Sequence, residues 1–474
     1  MVFIKEMRFA GFARGLTPGK SLGLFSLFIS TVILTTLFFM GTGLVHNAQA
    51  APIDGPAGSA GVEGGETEKT APTEKTTLSE VLDLAVKNNP RLKAARRNWE
   101  RVKQKYPQVI SLDDPVLRYT EPIRETETRL GPQDRVFSLS QKFPFPGKLG
   151  LKGDIVNKEV DIARTRYEKT ERDLRAEVKK TFYELFFVDM AIGLDKENNA
   201  VLDYFFELSR LNYGLSVSEL DELVRAEKSS AKATFDLLKI EDMREAMVAR
   251  LNTLLDRPPA TPVPTVEEPD FVDFPYSAEE LYSLAVKYND EVRIAGLEVE
   301  KSELEKRLAG YTYLPNFMLG LNYSQIGTLP SSSIPDTGDD AVSVTFGVSI
   351  PLWFSKNRAA VAEGATNIEQ KVFEKGAAIR EVEGRVKKYY FNLTTSSRIA
   401  KLYKERFIPD AKESVEFAEA RYKTGTESLA RLLETESMWI DFRLVYYRAF
   451  ADYLKSTAEI ERLTAKEFFK YDKE

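Results

Sequence analysis

Residues 341–350 read Ala-Val-Ser-Val-Thr-Phe-Gly-Val-Ser-Ile. Val342, Val344, Phe346, Val348 and Ile350 fall on one side of an extended chain, and Ser343, Thr345, Gly347 and Ser349 on the other. Strict alternation of this kind is the signature of a β-strand with one apolar face. Just upstream, Phe317, Leu319, Leu321 and Tyr323 alternate with Met318, Gly320, Asn322 and Ser324. A fainter pair lies earlier: Leu117 and Tyr119 among Val116, Arg118 and Thr120, then Phe137 and Leu139 beside Ser138 and Ser140. Tyr119, Phe143, Phe145, Tyr323, Trp353 and Phe354 sit towards the strand ends. Strands of about ten residues, apolar on one side with aromatic ends, read as the wall of a transmembrane β-barrel. A soluble sheet with one buried face has the same period; the polar hairpin loops 122–134 and 327–340 favour the barrel. Four strands cannot close a barrel, and an open edge in lipid leaves backbone groups unpaired, so such a barrel is shared between several chains.

The rest of the chain is one unit written twice. Leu84-Ala85-Val86-Lys87 recurs as Leu284-Ala285-Val286-Lys287, Tyr106-Pro107 answers to Leu314-Pro315, and Phe143-Pro144 to Ile350-Pro351. Arg210 and Gly214 correspond to Arg421 and Gly425. Two repeats, 77–255 and 276–466, are therefore expected around a connector, 256–275, that holds Pro258, Pro259, Pro262, Pro264, Pro269 and Pro275 and reads as extended. Each repeat is expected to run helix, two strands, two helices. The opening helices are expected over 78–104 and 277–309, with Thr77 or Ser79 and Ser277 as N-caps near Glu80 and Glu280.

The later helices are unusually long. No proline interrupts 149–212, and Ala163, Tyr167, Leu174, Val178, Phe182 and Leu185 form a helical stripe. A helix of that extent reaches roughly 95 Å. The second repeat matches it over 359–422, with Pro409 marking a kink or restart. Helices of this length imply a coiled-coil assembly rather than a compact domain.

Composition narrows the chemistry. Among 474 residues there is no cysteine and a single histidine, His46. That argues against zinc fingers, iron–sulfur clusters and Cys- or His-based catalysis, and no carboxylate pair stands out, so neither an enzyme nor a cofactor is expected. Lys5, Arg8, Arg14 and Lys20 precede an apolar run, 22–40, and then Ala48-Gln49-Ala50. This predicts an export signal over 1–50, with an uncleaved anchor as the other reading, followed by a disordered spacer, 51–76. A short tail, 467–474, closes the chain. The net charge is −6, and the signal region is itself basic, so nucleic acid is not an expected partner.

At Arg421-Tyr422-Lys423-Thr424-Gly425-Thr426, running on to Leu432-Leu433, the sequence resembles the hairpin tips of the TolC family of outer-membrane efflux proteins. The first-half version, Arg210-Leu211-Asn212-Tyr213-Gly214, has the tyrosine moved. With the duplication, strand pairs and helix lengths, the resemblance covers nearly all of 77–466. It implies a mainly α fold with a transmembrane β part: a homotrimer with four strands per chain in a twelve-stranded outer-membrane barrel and a long periplasmic α-barrel. It also implies passive export, with an inner-membrane pump supplying the energy and a periplasmic adaptor docking at Arg210, Tyr213, Gly214, Leu215, Arg421, Tyr422, Gly425 and Thr426. Well-known members narrow the entrance with aspartates, whose places here hold Arg431 and Glu434, near Glu427; three arginines and three glutamates would then pair across the entrance, or stand as solvated charges. Phe143-Pro144-Phe145-Pro146-Gly147-Lys148-Leu149 and Asp113-Asp114-Pro115-Val116-Leu117 look like stretches of the branch serving heavy-metal pumps; drugs or small organic molecules are the other cargo. An outlet for type I protein secretion and a membrane-anchored periplasmic scaffold remain competing readings.

Overall fold

The structure is a computed structural model and describes residues 75–124, 126–215, 220–328 and 335–468. The expected signal segment and almost all of the spacer lie outside the described residues, as does most of the C-terminal tail.

The chain opens with α1 (Leu78–Asn88), α2 (Pro90–Lys103) and α3 (Lys105–Ile110); the second half opens with α6 (Ala278–Tyr288) and α7 (Asp290–Gly310). Both begin in capping boxes, Thr77 with Glu80 and Ser277 with Glu280. The expected single opening helices are in fact broken, at Asn89 and Asn289, whose backbones are extended at ψ 121° and 133°. Each Asn side chain accepts hydrogen bonds from the two backbone N–H groups that start the next helix, so one helix ends where another is capped. In the first half Pro90, which lacks an N–H and disfavours helix in its predecessor, enforces the break.

The sheet contains β1 (Val116–Thr120), β2 (Thr126–Thr128), β3 (Gly131–Phe143), β4 (Asn316–Ile326) and β5 (Ala341–Ser349). The order is β1-β3-β4-β5, antiparallel throughout, with β2 added at the far end of β3. The segment 122–134 is therefore not all loop: β2 and the start of β3 fold onto each other there. Pairing registers Leu117, Leu139, Leu321 and Val344 in one row and Tyr119, Phe137, Tyr323 and Val342 in the next. On the opposite face Arg118, Ser138, Asn322 and Ser343 form a polar row. The apolar face is bare: Leu117 is 72% exposed, Val344 71% and Phe346 68%.

Below the sheet run α4 (Lys148–Gly214) and α5 (Leu220–Leu254), then, in the second half, α8 (Phe354–Leu402), α9 (Ile408–Lys423) and α10 (Leu429–Thr464). The 67 residues of α4 span about 100 Å without interruption. Its counterpart is interrupted by a π-turn, Tyr403–Phe407, directly before Pro409, which cannot donate to the preceding turn. The predicted stripe is the buried one: Ala163, Leu174, Val178, Phe182 and Leu185 are all inaccessible, while Tyr167 is half-buried. Around Val178 and Phe182 a single core gathers Leu251, Val382, Val386, Leu393 and Ile460, together with Ala85 and Ala285 from the repeated tetrapeptide.

The connector is extended and bound to the helices. Thr76 pairs with Val266 in a parallel bridge, and the buried Asp189 carboxylate accepts the Val266 N–H at 3.0 Å and Arg244 at 2.6 Å. Phe271 stacks on Tyr453, whose hydroxyl donates to the Val272 carbonyl.

Candidate functional site

The two helical hairpins end side by side. Phe205 from α4, Ala226 from α5, Ala418 from α9 and Leu429 and Leu432 from α10 make a buried cluster, with Tyr422 packed on it and its ring 6.2 Å from Phe205, edge to face. Burial, followed by the nearby Glu222, raises the Tyr422 pKa.

At the second tip, Gly425 adopts φ +71°. Its N–H donates to the Tyr422 carbonyl at 2.9 Å, and that of Thr426 to the Arg421 carbonyl at 3.0 Å, which closes α9 as a Schellman turn. The Arg421 side chain reaches the Thr426 carbonyl, lies 3.7 Å from Glu427 and sits over the Phe417 ring. Ser428 then caps α10 by accepting the Arg431 N–H at 3.3 Å. Arg431 and Glu434 meet at 2.9 Å on one exposed face of α10. The charges foreseen as pairing across an entrance thus have partners within one chain, as i,i+3 spacing on a helix allows.

The first tip is built differently. Gly214 is the last residue of α4 and is not in the left-handed region; Leu215, at φ −90°, closes the helix instead. Both glycines thus stand at a helix end, but only Gly425 is left-handed. Arg210 pairs with Glu207 at 3.0 Å, and Tyr213 and Leu215 stand exposed.

Sequence inspection missed an acidic seam higher in the bundle. Asp195 on α4 titrates above the usual aspartate range, first through burial and then through Asp236 on α5 and Asp441 on α10. Glu436 is raised in the same way, by burial and then by Glu419 and Glu197. These groups come from different helices, so no local charge pattern announces them. Among the described residues no group of carboxylates could hold a metal ion, and no helix is long and apolar enough to cross a membrane.

Residues 281–466 match the family model for outer membrane efflux proteins. That match covers the second repeat, and the fold across the described residues is that of TolC-like channels. Similar solved structures include a membrane protein from Pseudomonas aeruginosa (14% identity, 82% of this chain and 90% of that one, TM-score 0.70). The outer membrane protein VceC from Vibrio cholerae matches at 14% identity over 83% of this chain and 97% of its own, with TM-score 0.67. The CmeC outer membrane channel of Campylobacter jejuni matches at 14% identity over 87% and 94%, with TM-score 0.68. No curated protein sequence matches the chain at a significant level. The protein resides in the outer membrane with a large periplasmic part, and a bare apolar sheet face is what a lipid-facing wall presents.

Proposed function

We propose that this efflux protein is the outer-membrane conduit of a tripartite export system, assembled as a homotrimer. One observation carries the reading. β1 and β5 each leave an edge unpaired while the sheet exposes an apolar face. Lipid tolerates that face but not those edges. Pairing β5 of one copy with β1 of the next removes every edge, and three copies give twelve strands.

The conduit supplies a path and no energy; an inner-membrane pump drives transport through a periplasmic adaptor. We assign adaptor docking to the tips around Arg210, Tyr213, Gly214, Leu215, Arg421, Tyr422, Gly425 and Thr426. The exposed Tyr213 and Leu215 and the fixed turn at Gly425 support this, since they offer apolar contact on a preset backbone. The closed entrance is assigned to Glu427, Arg431 and Glu434. The cargo is a small solute, a heavy-metal cation or a drug; the stretches 113–117 and 143–149 resemble those of the branch serving heavy-metal pumps.

Electrophoresis of unheated protein and single-channel recording in planar bilayers test the reading together. A trimer with discrete conductance is expected. A monomer that forms no channels overturns it. Metal and drug susceptibility of a deletion strain, with and without the gene, then separates the two cargo classes.

A further inference from the structure

This inference rests on the sheet being an outer-membrane wall, and it concerns one position on it. The lipid-facing register positions of β1, β3, β4 and β5 are Leu117 and Tyr119; Arg135, Phe137, Leu139, Gln141 and Phe143; Phe317 to Gln325 at alternate places; and Val342 to Val348 likewise. Arg135 alone among them carries a charge. It is exposed and makes no ion pair or side-chain hydrogen bond among the described residues.

Its surroundings are ordered. One pair inward lies an aromatic ladder across three neighbouring strands. Tyr119 and Phe137 have ring centroids 5.1 Å apart, and those of Phe137 and Tyr323 are 6.4 Å apart. Nearby carboxylates are engaged elsewhere. Glu121 accepts the Tyr119 hydroxyl at 2.8 Å, while Asp340 accepts both the Tyr323 hydroxyl and the Ile326 N–H. A bulge between Gln133 and Arg135 ends the regular pairing just beyond. This is the end of the sheet remote from the helices, because β3 runs from here to Phe143 and on into α4. It is therefore the outer-leaflet end. β3 is paired on both sides, so adding further strands at the sheet edges leaves this position uncovered.

We propose that Arg135, above the Tyr119–Phe137–Tyr323 ladder, binds the phosphate group of an outer-leaflet lipid. Among the described residues this guanidinium, at the upper boundary of an apolar wall, forms no ion pair, and the nearby Glu121 is held by the Tyr119 hydroxyl. A lipid phosphate offers two oxygens in the geometry that its fork matches. Aromatic rings at the same level fix the depth of the headgroup region. The occupant is thus an anionic lipid whose phosphate has no ammonium of its own, rather than a zwitterionic phospholipid, whose ammonium competes for the phosphate.

The test uses the full-length assembled protein in detergent micelles and native mass spectrometry. The micelles are doped in turn with a bisphosphorylated glucosamine lipid, its dephosphorylated form, and phosphatidylethanolamine. Wild type should retain the phosphorylated lipid selectively, Arg135→Ala should retain it about tenfold less, and Arg135→Lys should fall between, because an ammonium is a point charge. Equal retention by Arg135→Ala and wild type, or equal retention of the phosphorylated and dephosphorylated lipids by wild type, overturns the proposal. Should Arg135→Ala fail to assemble, Arg135→Gln takes its place, and the wild-type preference for phosphate decides by itself. Failure of the barrel reading shows separately, as absence of a conducting trimer in wild type.

Discussion

Asn89 and Asn289 make the same bonds at corresponding places in the two halves. Each side-chain oxygen caps the helix that follows, and each amide donates to the final turn of its half's last helix, Leu254 in one case and Leu463 in the other, both at 2.9 Å. One residue type thereby fixes a helix break, a helix start and a helix end. Replacing either by Ala removes the cap and strands a carbonyl, a loss of about 2–3 kcal/mol. Asn→Asp keeps the cap but not the donor and should lie between. Denaturant unfolding in detergent checks both.

Lys179 and Glu461 form an ion pair at 2.6 Å with both side chains almost inaccessible, joining α4 to α10 across the two repeats. Lys179→Met strands a buried carboxylate, which also accepts the Phe468 N–H, and should cost about 3–5 kcal/mol. The double variant Lys179→Met/Glu461→Leu should recover most of that loss, since two matched apolar groups leave no charge unpaired. A double variant as unstable as the single one counts against this account.

Gly425 and Gly214 should answer differently to the same substitution. Nothing lies within 4 Å of a Cβ at either site, so the contrast is purely one of backbone. Gly425→Ala places a side chain at φ +71° and should cost about 1 kcal/mol, with weaker export. Gly214→Ala falls in a helix and should be neutral or slightly stabilising. Melting curves and drug or metal susceptibility measure the two effects.

Glu434→Arg sets a second cation beside Arg431 in place of the 2.9 Å pair. In one chain that pair contributes only about 0–1 kcal/mol, as exposed pairs do. Three copies of the change at a shared entrance should repel, raising resting conductance in planar bilayers, more so at low salt. Unchanged conductance at every ionic strength places the constriction elsewhere.

Asp195 supplies a pH test. Its folded pKa is raised, first by burial and then by Asp236 and Asp441, so the folded chain disfavours its charge. Stability that is present below the ordinary aspartate value is lost as pH rises through the folded one. Asp195→Asn should therefore raise Tm at pH 7 by a few degrees, with the gain vanishing near pH 3, where wild type is protonated as well. A Tm gain independent of pH would point to packing instead.

The sequence by itself determined the strands, the long helices and the repetition, because each depends on local periodicity. Val342 to Val348 alternate whatever surrounds them, and the stripe from Ala163 to Leu185 needs no partner to be seen. Gly425 was legible for the same reason, since a glycine after Arg421-Tyr422 at a helix end implies φ above zero. Gly214 also stands at a helix end, but α4 closes through Leu215 at φ −90°, so this glycine needs no positive φ. The break at Asn89 had a local sign in Pro90, whereas the one at Asn289 had no proline to announce it; the bonds of both amides to carbonyls 165 and 174 residues away belong to the tertiary structure. The Lys179–Glu461 pair, the acidic seam around Asp195 and the isolation of Arg135 likewise belong to tertiary structure alone. Charge interacts through space, and only the packing of α4 on α5 and α10 and the register of β3 decide which groups meet and which are left for a partner.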